Sequence, residues 1–422
     1  MDGIGRPCRS LDASLMHILS VIHYPIYGGP HNRNAAVIPE LRGRGIETTV
    51  LLPDEPGNAE ALLRQRGVDV VTLPLSRLRA VRDPRTHARV TRQFHTDIGR
   101  IRRLIRTLDI DVVLVNGLAN PHSAIAAHLE GVPVVWQLLD TFAPMMLRRA
   151  MMPLVTALAD VVMSTGRAVA EAHPSATKFG DRLVLFFPIA DTALFTNSAQ
   201  ARRRARAQLG MPTDALVVGG VSNINPMKGH DTFVQAAAIV RAHRPLTRFV
   251  ILGAQSNRHA EYTEGLWRTA SELGLELGRD LVVFDPGADV VATAPALDVF
   301  WLTSNARSEG IPTVIGEAMS LELPIVASRV GSVHEAVTEG VTASLVRPRD
   351  PVALANATLP YLDDSRLRQR VGRAGRALAE RLYSRATCAD RHQQAFELAL
   401  EHRRQRRRHR GQPGHRHSAE GL

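Results

Sequence analysis

The chain has 422 residues, 45% of them apolar and 22% charged, with a formal net charge of +11. These values exclude wholesale disorder, a collagen-like repeat and a coiled coil, and at ~100–200 residues per domain the length predicts two or three domains. Two cysteines, Cys8 and Cys388, are too few for a disulfide framework or a cysteine zinc site and suit a reducing compartment.

In chain order, residues 1–14 read as an extension with charges of both signs and no secretory pattern. Short apolar runs then recur at 15–22, 48–52, 68–73, 111–115, 132–136, 160–164 and 183–187. A second series falls at 215–221, 247–252, 281–284, 298–302, 324–328 and 343–346. Most are continuous rather than alternating, the pattern of strands in a parallel sheet covered on both faces. Helical patterns separate them. The fold class is therefore α/β, with two doubly wound Rossmann-type domains facing across a cleft.

The first domain is expected over 15–190 and the second over 191–385. A C-terminal helix at 386–402 and a basic disordered tail at 403–422 should follow. The tail holds seven arginines against Glu420, more than half of the net charge, so the fold itself is only mildly basic. No run of about 18 apolar residues occurs. The expected place is the cytoplasm, with a peripheral position at the inner face of a membrane as a second reading. That second reading rests on residues 77–106, which carry ten arginines against Asp83 and Asp97. Phe94, Ile98, Ile101, Ile105 and Leu108 form one apolar helical face there. The arginines either solvate this helix or meet anionic lipid or an anionic acceptor. Only 5% of residues are aromatic, which argues against nucleic acid bound by stacking.

Three strand-to-helix turns carry the chemistry. In Val221-Ser-Asn-Ile-Asn-Pro-Met-Lys228-Gly229 a lysine sits before a helix, where free amides and a positive charge together suit a diphosphate. In Ser304-Asn-Ala-Arg-Ser-Glu309-Gly310-Ile311-Pro312-Thr313 a strand ends and Pro312 opens a helix that contains Glu317. Glu309, in the loop, can grip sugar hydroxyls, and Glu317 can accept from ribose. The third turn, Ile325-Val-Ala-Ser-Arg-Val-Gly331-Ser332, repeats the strand, glycine and helix order.

Residues 215–346, with these three turns in order, resemble the donor half of the retaining glycosyltransferases of family 4, which have the GT-B fold. The resemblance rests on Asn225-Pro-Met-Lys-Gly-His-Asp, Phe249-Val-Ile-Leu-Gly253 and Ser308-Glu-Gly-Ile-Pro-Thr-Val-Ile-Gly-Glu-Ala-Met319. Leu323-Pro-Ile-Val-Ala-Ser and Val330-Gly-Ser-Val-His-Glu-Ala-Val337 continue it. Tyr27-Gly28-Gly29-Pro30 and Leu41 to Val50 extend it into the first half, for a coverage of about 15–395.

The resemblance implies that Lys228 holds the donor diphosphate, Glu309 the donor sugar and Glu317 the ribose. It implies amide contacts from Gly310, Ile311, Pro312 and Thr313. Gly28 and Gly29 would approach the diphosphate from the other side. Asn223 stands where many members have an arginine, so Arg258 or another basic residue would have to replace that charge. Leu139 stands where the family often has a histidine, which leaves Asp140 as the nearest polar candidate on the acceptor side. Asp140 could equally cap a turn, and His122 is a second candidate. No diphosphate–metal Asp-x-Asp motif ends a strand, so neither a metal nor another cofactor is expected.

The implied activity is retaining transfer of a sugar from a nucleotide diphosphate sugar to a hydroxyl acceptor, lipid-linked acceptors included. Glycolipid, polysaccharide and glycoside biosynthesis all fit. A sugar-nucleotide epimerase-like enzyme and a non-catalytic nucleotide-sugar or polyanion binder are the alternatives. A pyridoxal phosphate phosphorylase would need a further lysine, and the chain has only Lys178 and Lys228.

Overall fold

A computed structural model describes residues 15–75, 84–118, 120–287, 289–306 and 309–411, with side chains omitted for 84–92 and 409–411. The first domain runs β1 (Met16–Ile22), α1 (Gly29–Arg42), β2 (Ile46–Pro53), α2 (Ala59–Gln65), β3 (Asp69–Leu73), α3 (Pro84–Thr107) and β4 (Val112–Asn116). It continues through α4 (Pro121–Leu129), β5 (Val134–Leu138), α5 (Met145–Leu158), β6 (Val161–Ser164), α6 (Arg167–Glu171) and β7 (Leu183–Leu185). The second runs α7 (Ala199–Gln208), β8 (Val217–Val221), α8 (His230–His243), β9 (Arg248–Leu252), α9 (Ala260–Glu272), β10 (Leu281–Phe284), α10 (Val290–Thr293) and β11 (Val299–Leu302). Then come α11 (Thr313–Ser320), β12 (Ile325–Ser328), α12 (Val333–Ala336), β13 (Ala343–Val346), α13 (Pro351–Asp363), α14 (Ser365–Leu382) and α15 (Arg385–Gly411).

Each domain is one parallel sheet, ordered β3-β2-β1-β4-β5-β6-β7 and β10-β9-β8-β11-β12-β13. The chain direction across the sheet reverses between β1 and β4 and again between β8 and β11. A crevice opens beyond the carboxyl ends of the strands at such a point, and ligands of open α/β sheets bind there. Pleating divides β4 between two cores. Val113 and Val115 face Ile98, Ile101 and Ile105 of α3, while Val112 and Leu114 face Val37 and Leu41 of α1.

The apolar face of α3 therefore packs into the first domain. Of its arginines, Arg100 pairs with Asp97 at 3.0 Å, and Arg102 and Arg106 share Glu130 at 2.6 and 3.2 Å. Residues 76–83 and the Arg92 side chain lie outside the described residues.

The C-terminal region departs from expectation. α15 does not stop at 402 but continues to Gly411, so 403–411 is helix rather than disordered tail. Cys388, Ala389, Phe396 and Ala399 bury its apolar side against the first sheet. His402 Nδ1 sits 2.9 Å from Asp160, and Arg407 Nη2 donates to the Gly131 carbonyl at 2.9 Å. The basic segment docks because the His128 and Gly131 carbonyls at the end of α4 accept its arginines. Residues 412–422 lie outside the described residues.

The domains also touch beside the cleft. The Glu335 carboxylate of α12 accepts from the Arg167 and Ala168 amides that open α6, at 2.6 and 2.7 Å. Ser332 Oγ accepts from Val169 N at 3.3 Å. Gly166 is left-handed, with φ of +100°, and a Cβ there would lie 2.3 Å from Ser332 Oγ. Among the described residues no helix is long and apolar enough to cross a membrane.

Candidate active site

A cavity of about 1020 Å³ lies between the domains where the two reversals face each other. Its second-domain wall comes from the loops after β8 and β11. In the first loop Asn225 Oδ1 accepts from Met227 N at 3.0 Å and starts a short 3₁₀ turn that ends at Lys228. Gly229 is left-handed, and a Cβ there would stand 2.1 Å from the Thr303 carbonyl, so only glycine fits. The two loops are stitched together: Thr303 Oγ1 donates to the Lys228 carbonyl at 2.8 Å and Asn305 Nδ2 to the Pro226 carbonyl at 2.7 Å.

This stitching brings the predicted pair into contact. Lys228 Nζ donates to Glu309 Oε1 at 2.5 Å, and Ser304 Oγ donates to the same oxygen at 2.6 Å. Glu309 is only 6% exposed, while both residues line the cavity. Gly310, Ile311, Pro312 and Thr313 form the adjoining wall at the start of α11. Pro312 has no N–H, so it shapes that wall without donating to a ligand. Gly310 marks a close approach of the domains, since a Cβ there would lie 2.4 Å from the Leu139 carbonyl.

Glu317 lies elsewhere. It borders a smaller hollow with Val290, Leu297 and Phe300, which shares Val221 and Val314 with the main cavity. Burial in these surroundings raises its pKa to about 7. Its carboxyl group makes no hydrogen bond or ion pair among the described residues. Asn223 lines the main cavity with Oδ1 accepting from Ala254 N at 3.2 Å.

The first-domain predictions fare unevenly. Gly29 lines the cavity, and a Cβ there would meet nothing within 4 Å, so only an incoming ligand would make a side chain clash. Gly28 is set back as the N-cap of α1 and does not line the cavity. Asp140 is exposed on the wall, but its Oδ1 accepts from Phe142 N at 2.9 Å and so caps the next turn. His122 points into the core against Phe94, 5% exposed, and burial lowers its pKa to about 4.

Sequence reasoning missed His23, Tyr24, Arg33 and His173, all on the wall. None of the four carries a local signal: α1 buries His31 and Asn34 beside Arg33, so polar residues there do not single one out. Among the described residues no group of three or more His, Cys, Asp or Glu is placed to hold a metal.

The family model described as glycosyl transferases group 1 matches residues 201–378, and that of the glycosyl transferase 4-like domain matches 28–220. A GDP-mannose-dependent alpha-(1-6)-phosphatidylinositol monomannoside mannosyltransferase of Mycolicibacterium smegmatis is 32% identical over 300 residues, 67% of this chain and 75% of that one. The chain belongs to the group 1, family 4-type glycosyltransferases. Within that family it also resembles the D-inositol 3-phosphate glycosyltransferase of Streptomyces avermitilis, 33% identical over 50% of this chain and 46% of that one. This family member thus spans about half the length of the inositol phosphate relatives it matches. Its fold is GT-B: Anabaena HepE, solved in complex with UDP, superposes with a TM-score of 0.77 at 23% identity, over 90% of this chain and 100% of that one.

Proposed function

We propose that the protein is a retaining glycosyltransferase that moves a sugar from a nucleoside diphosphate sugar to a hydroxyl of a lipid-linked acceptor. The observation that carries this reading is the Lys228–Glu309 pair, which joins the loops after β8 and β11 on the interdomain cavity that Gly29 also lines. Lys228 and the amides of Gly310, Ile311 and Thr313 meet the diphosphate and take up the charge that develops as the glycosidic bond breaks. Glu309 holds the donor sugar's hydroxyls, and Glu317 accepts from ribose hydroxyls where its hollow meets the main cavity at Val221 and Val314. The acceptor oxygen attacks on the face the leaving group departs from. Its proton passes to the departing phosphate oxygen, so no separate base is needed and configuration is kept. Lys228 supplies the countercharge, and we propose that turnover needs no metal.

The lipid link is supported at the cavity mouth. Phe142, Met145, Met146 and Leu147 are 68, 43, 76 and 43% exposed, and Phe142 and Leu147 also line the cavity. Exposed apolar side chains continuous with a site suit an acyl chain or a membrane interface. They also support peripheral attachment of a cytoplasmic enzyme. The alpha-(1-6)-mannosyltransferase relative is named for a phosphatidylinositol acceptor.

The test is incubation with labelled UDP-glucose and GDP-mannose, each with and without EDTA, and with lipid vesicles as acceptor. Transfer or slow hydrolysis of one donor, with the donor's anomeric configuration retained by NMR and no effect of EDTA, is expected. A donor released unchanged, or an inverted product, refutes the reading. Met145→Ser with Met146→Ser should weaken vesicle binding without changing donor hydrolysis, since neither lines the cavity; unchanged vesicle binding removes the lipid link.

A further inference from the structure

The first-domain wall holds a charge that the mechanism above does not use. Arg33 lies one turn into α1 and is 7% exposed, yet it forms part of the cavity wall. Its Nη2 donates to Asn116 Oδ1 at 2.6 Å and to Gln137 Oε1 at 2.5 Å, and its guanidinium lies 5.2 Å from the Phe186 ring centroid. Both acceptors are neutral amides. Nε has no hydrogen-bond partner, and no carboxylate pairs with the guanidinium among the described residues. A buried, unpaired guanidinium costs several kcal/mol. Arg206, 2% exposed, shows the ordinary solution, with Asp298 at 2.7 Å and carbonyl acceptors around it.

The surroundings hold this uncompensated cation in place. Asn116 Nδ2 donates to Ser20 Oγ at 3.0 Å and to the Val21 carbonyl at 3.2 Å, which turns Oδ1 toward Arg33. His392 Nδ1 sits 2.8 Å from the Cys388 carbonyl, so that nitrogen carries the proton and Nε2 accepts from Gln137 Nε2 at 3.1 Å. Gln137 Oε1 is thereby committed to Arg33. The chain from α15 through β5 fixes the guanidinium plane while leaving its charge unanswered.

We propose that Arg33 is an acceptor-binding residue that pairs with an oxyanion, a phosphate or carboxylate, carried by the acceptor. Arg33 belongs to the first domain, opposite the loops that carry Lys228 and Glu309; with Lys228 given to the donor diphosphate, Arg33 is assigned to the acceptor. A guanidinium is permanently charged and matches oxyanion geometry, and a dry site makes the pairing strong. A neutral sugar in the same place would leave the cation buried and unpaired. The inference rests on the glycosyl-transfer reading.

The test uses the full chain with Arg33→Met and Arg33→Lys. Transfer is compared between D-inositol 3-phosphate and myo-inositol, and between phosphatidylinositol and diacylglycerol vesicles, which separates a free phosphate from a lipid headgroup. The wild type should prefer the phosphate-bearing partner in at least one pair by at least 100-fold in kcat/KM. Arg33→Met should cut that preference to below tenfold by raising acceptor KM, with donor KM within twofold, and Arg33→Lys should restore part of it. A merely structural role would lower Tm without moving the preference. A second arm needs no acceptor: inorganic phosphate should raise the Tm of Lys228→Ala, whose donor site is disabled, but not of Lys228→Ala with Arg33→Met. Equal phosphate stabilisation of both chains, or a donor KM that rises with acceptor KM, overturns the proposal. If no nucleotide sugar is bound or hydrolysed the transferase reading fails, and the phosphate arm still decides the role of Arg33.

Discussion

Glu335→Ala tests how the two domains are held. The carboxylate accepts two amide hydrogen bonds across the domain boundary, at 2.6 and 2.7 Å. A bond to a charged group contributes about 1.5–3 kcal/mol when buried. Arg167 is exposed and Glu335 and Ala168 are half-buried, so solvent screening reduces the pair to about 2 kcal/mol in total. That is a factor of about 30 in the equilibrium between joined and parted domains. A joined-to-parted ratio of about 10:1 would become about 1:3. The assay is electron–electron distance measurement between spin labels at Asp69→Cys and Glu264→Cys, both exposed, in a Cys8→Ser background. Glu335→Ala should broaden the distances and add a longer population, and Glu335→Gln, which keeps one acceptor oxygen, should fall between. Distributions that superimpose, together with an unchanged donor KM, would refute the reasoning.

Lys228→Ala should lower kcat by about 100-fold, as for loss of one preorganised donor to a developing charge, with Tm preserved; undiminished turnover at saturating donor counts against the diphosphate role. Glu309→Ala should act mainly on kcat and Glu317→Ala mainly on donor KM if, as proposed, one meets the reacting sugar and the other the ribose. Bare nucleotide bound equally well by wild type and Glu317→Ala would remove the ribose role. Burial holds the Glu317 pKa at about 7 against an ordinary 4.5. The folded chain then keeps a proton that the unfolded chain releases, so stability should fall as pH rises from about 4.5 to about 7. Denaturant titration should show Glu317→Gln flattening this slope, and an identical slope in both chains would rule the cause out.

The sheets were legible because strands buried on both faces cannot hide their composition. Each apolar run coincides with a strand to within about two residues, from Met16–Ile22 to Ala343–Val346. The second-domain wall of the cavity was legible for a similar reason, since Gly229 and Gly310 stand where another backbone comes too close for a side chain. What stayed hidden depends on contacts between distant segments. Nothing local distinguishes Asp140 capping its own turn from Asp140 serving a substrate, because both need an exposed carboxylate after a strand. The arginines of 403–411 look like a solvated tail until the carbonyls of His128 and Gly131 are beside them. Arg33 reads as surface charge until Asn116 and Gln137, some 80 and 100 residues later, close over it.

Because α15 returns to the first sheet, that domain is not a continuous stretch of chain. Phe186 and Val184 end its sheet, but Cys388, Ala389 and Phe396 that cover them come after the whole second domain. On the ribosome these strands must wait for about 200 further residues, some 10–40 s at ordinary synthesis rates. During that time one face of the sheet, Met163 and Val135 included, lacks its lid. The second domain has its own sheet, and no residue of α15 belongs to its cores. Folding order during synthesis is thus reversed relative to sequence order: the later domain can be finished first. A chain cut after residue 384 should accumulate as a folded second domain attached to an aggregation-prone first one, and a segment of 385–411 supplied separately should bind and rescue it.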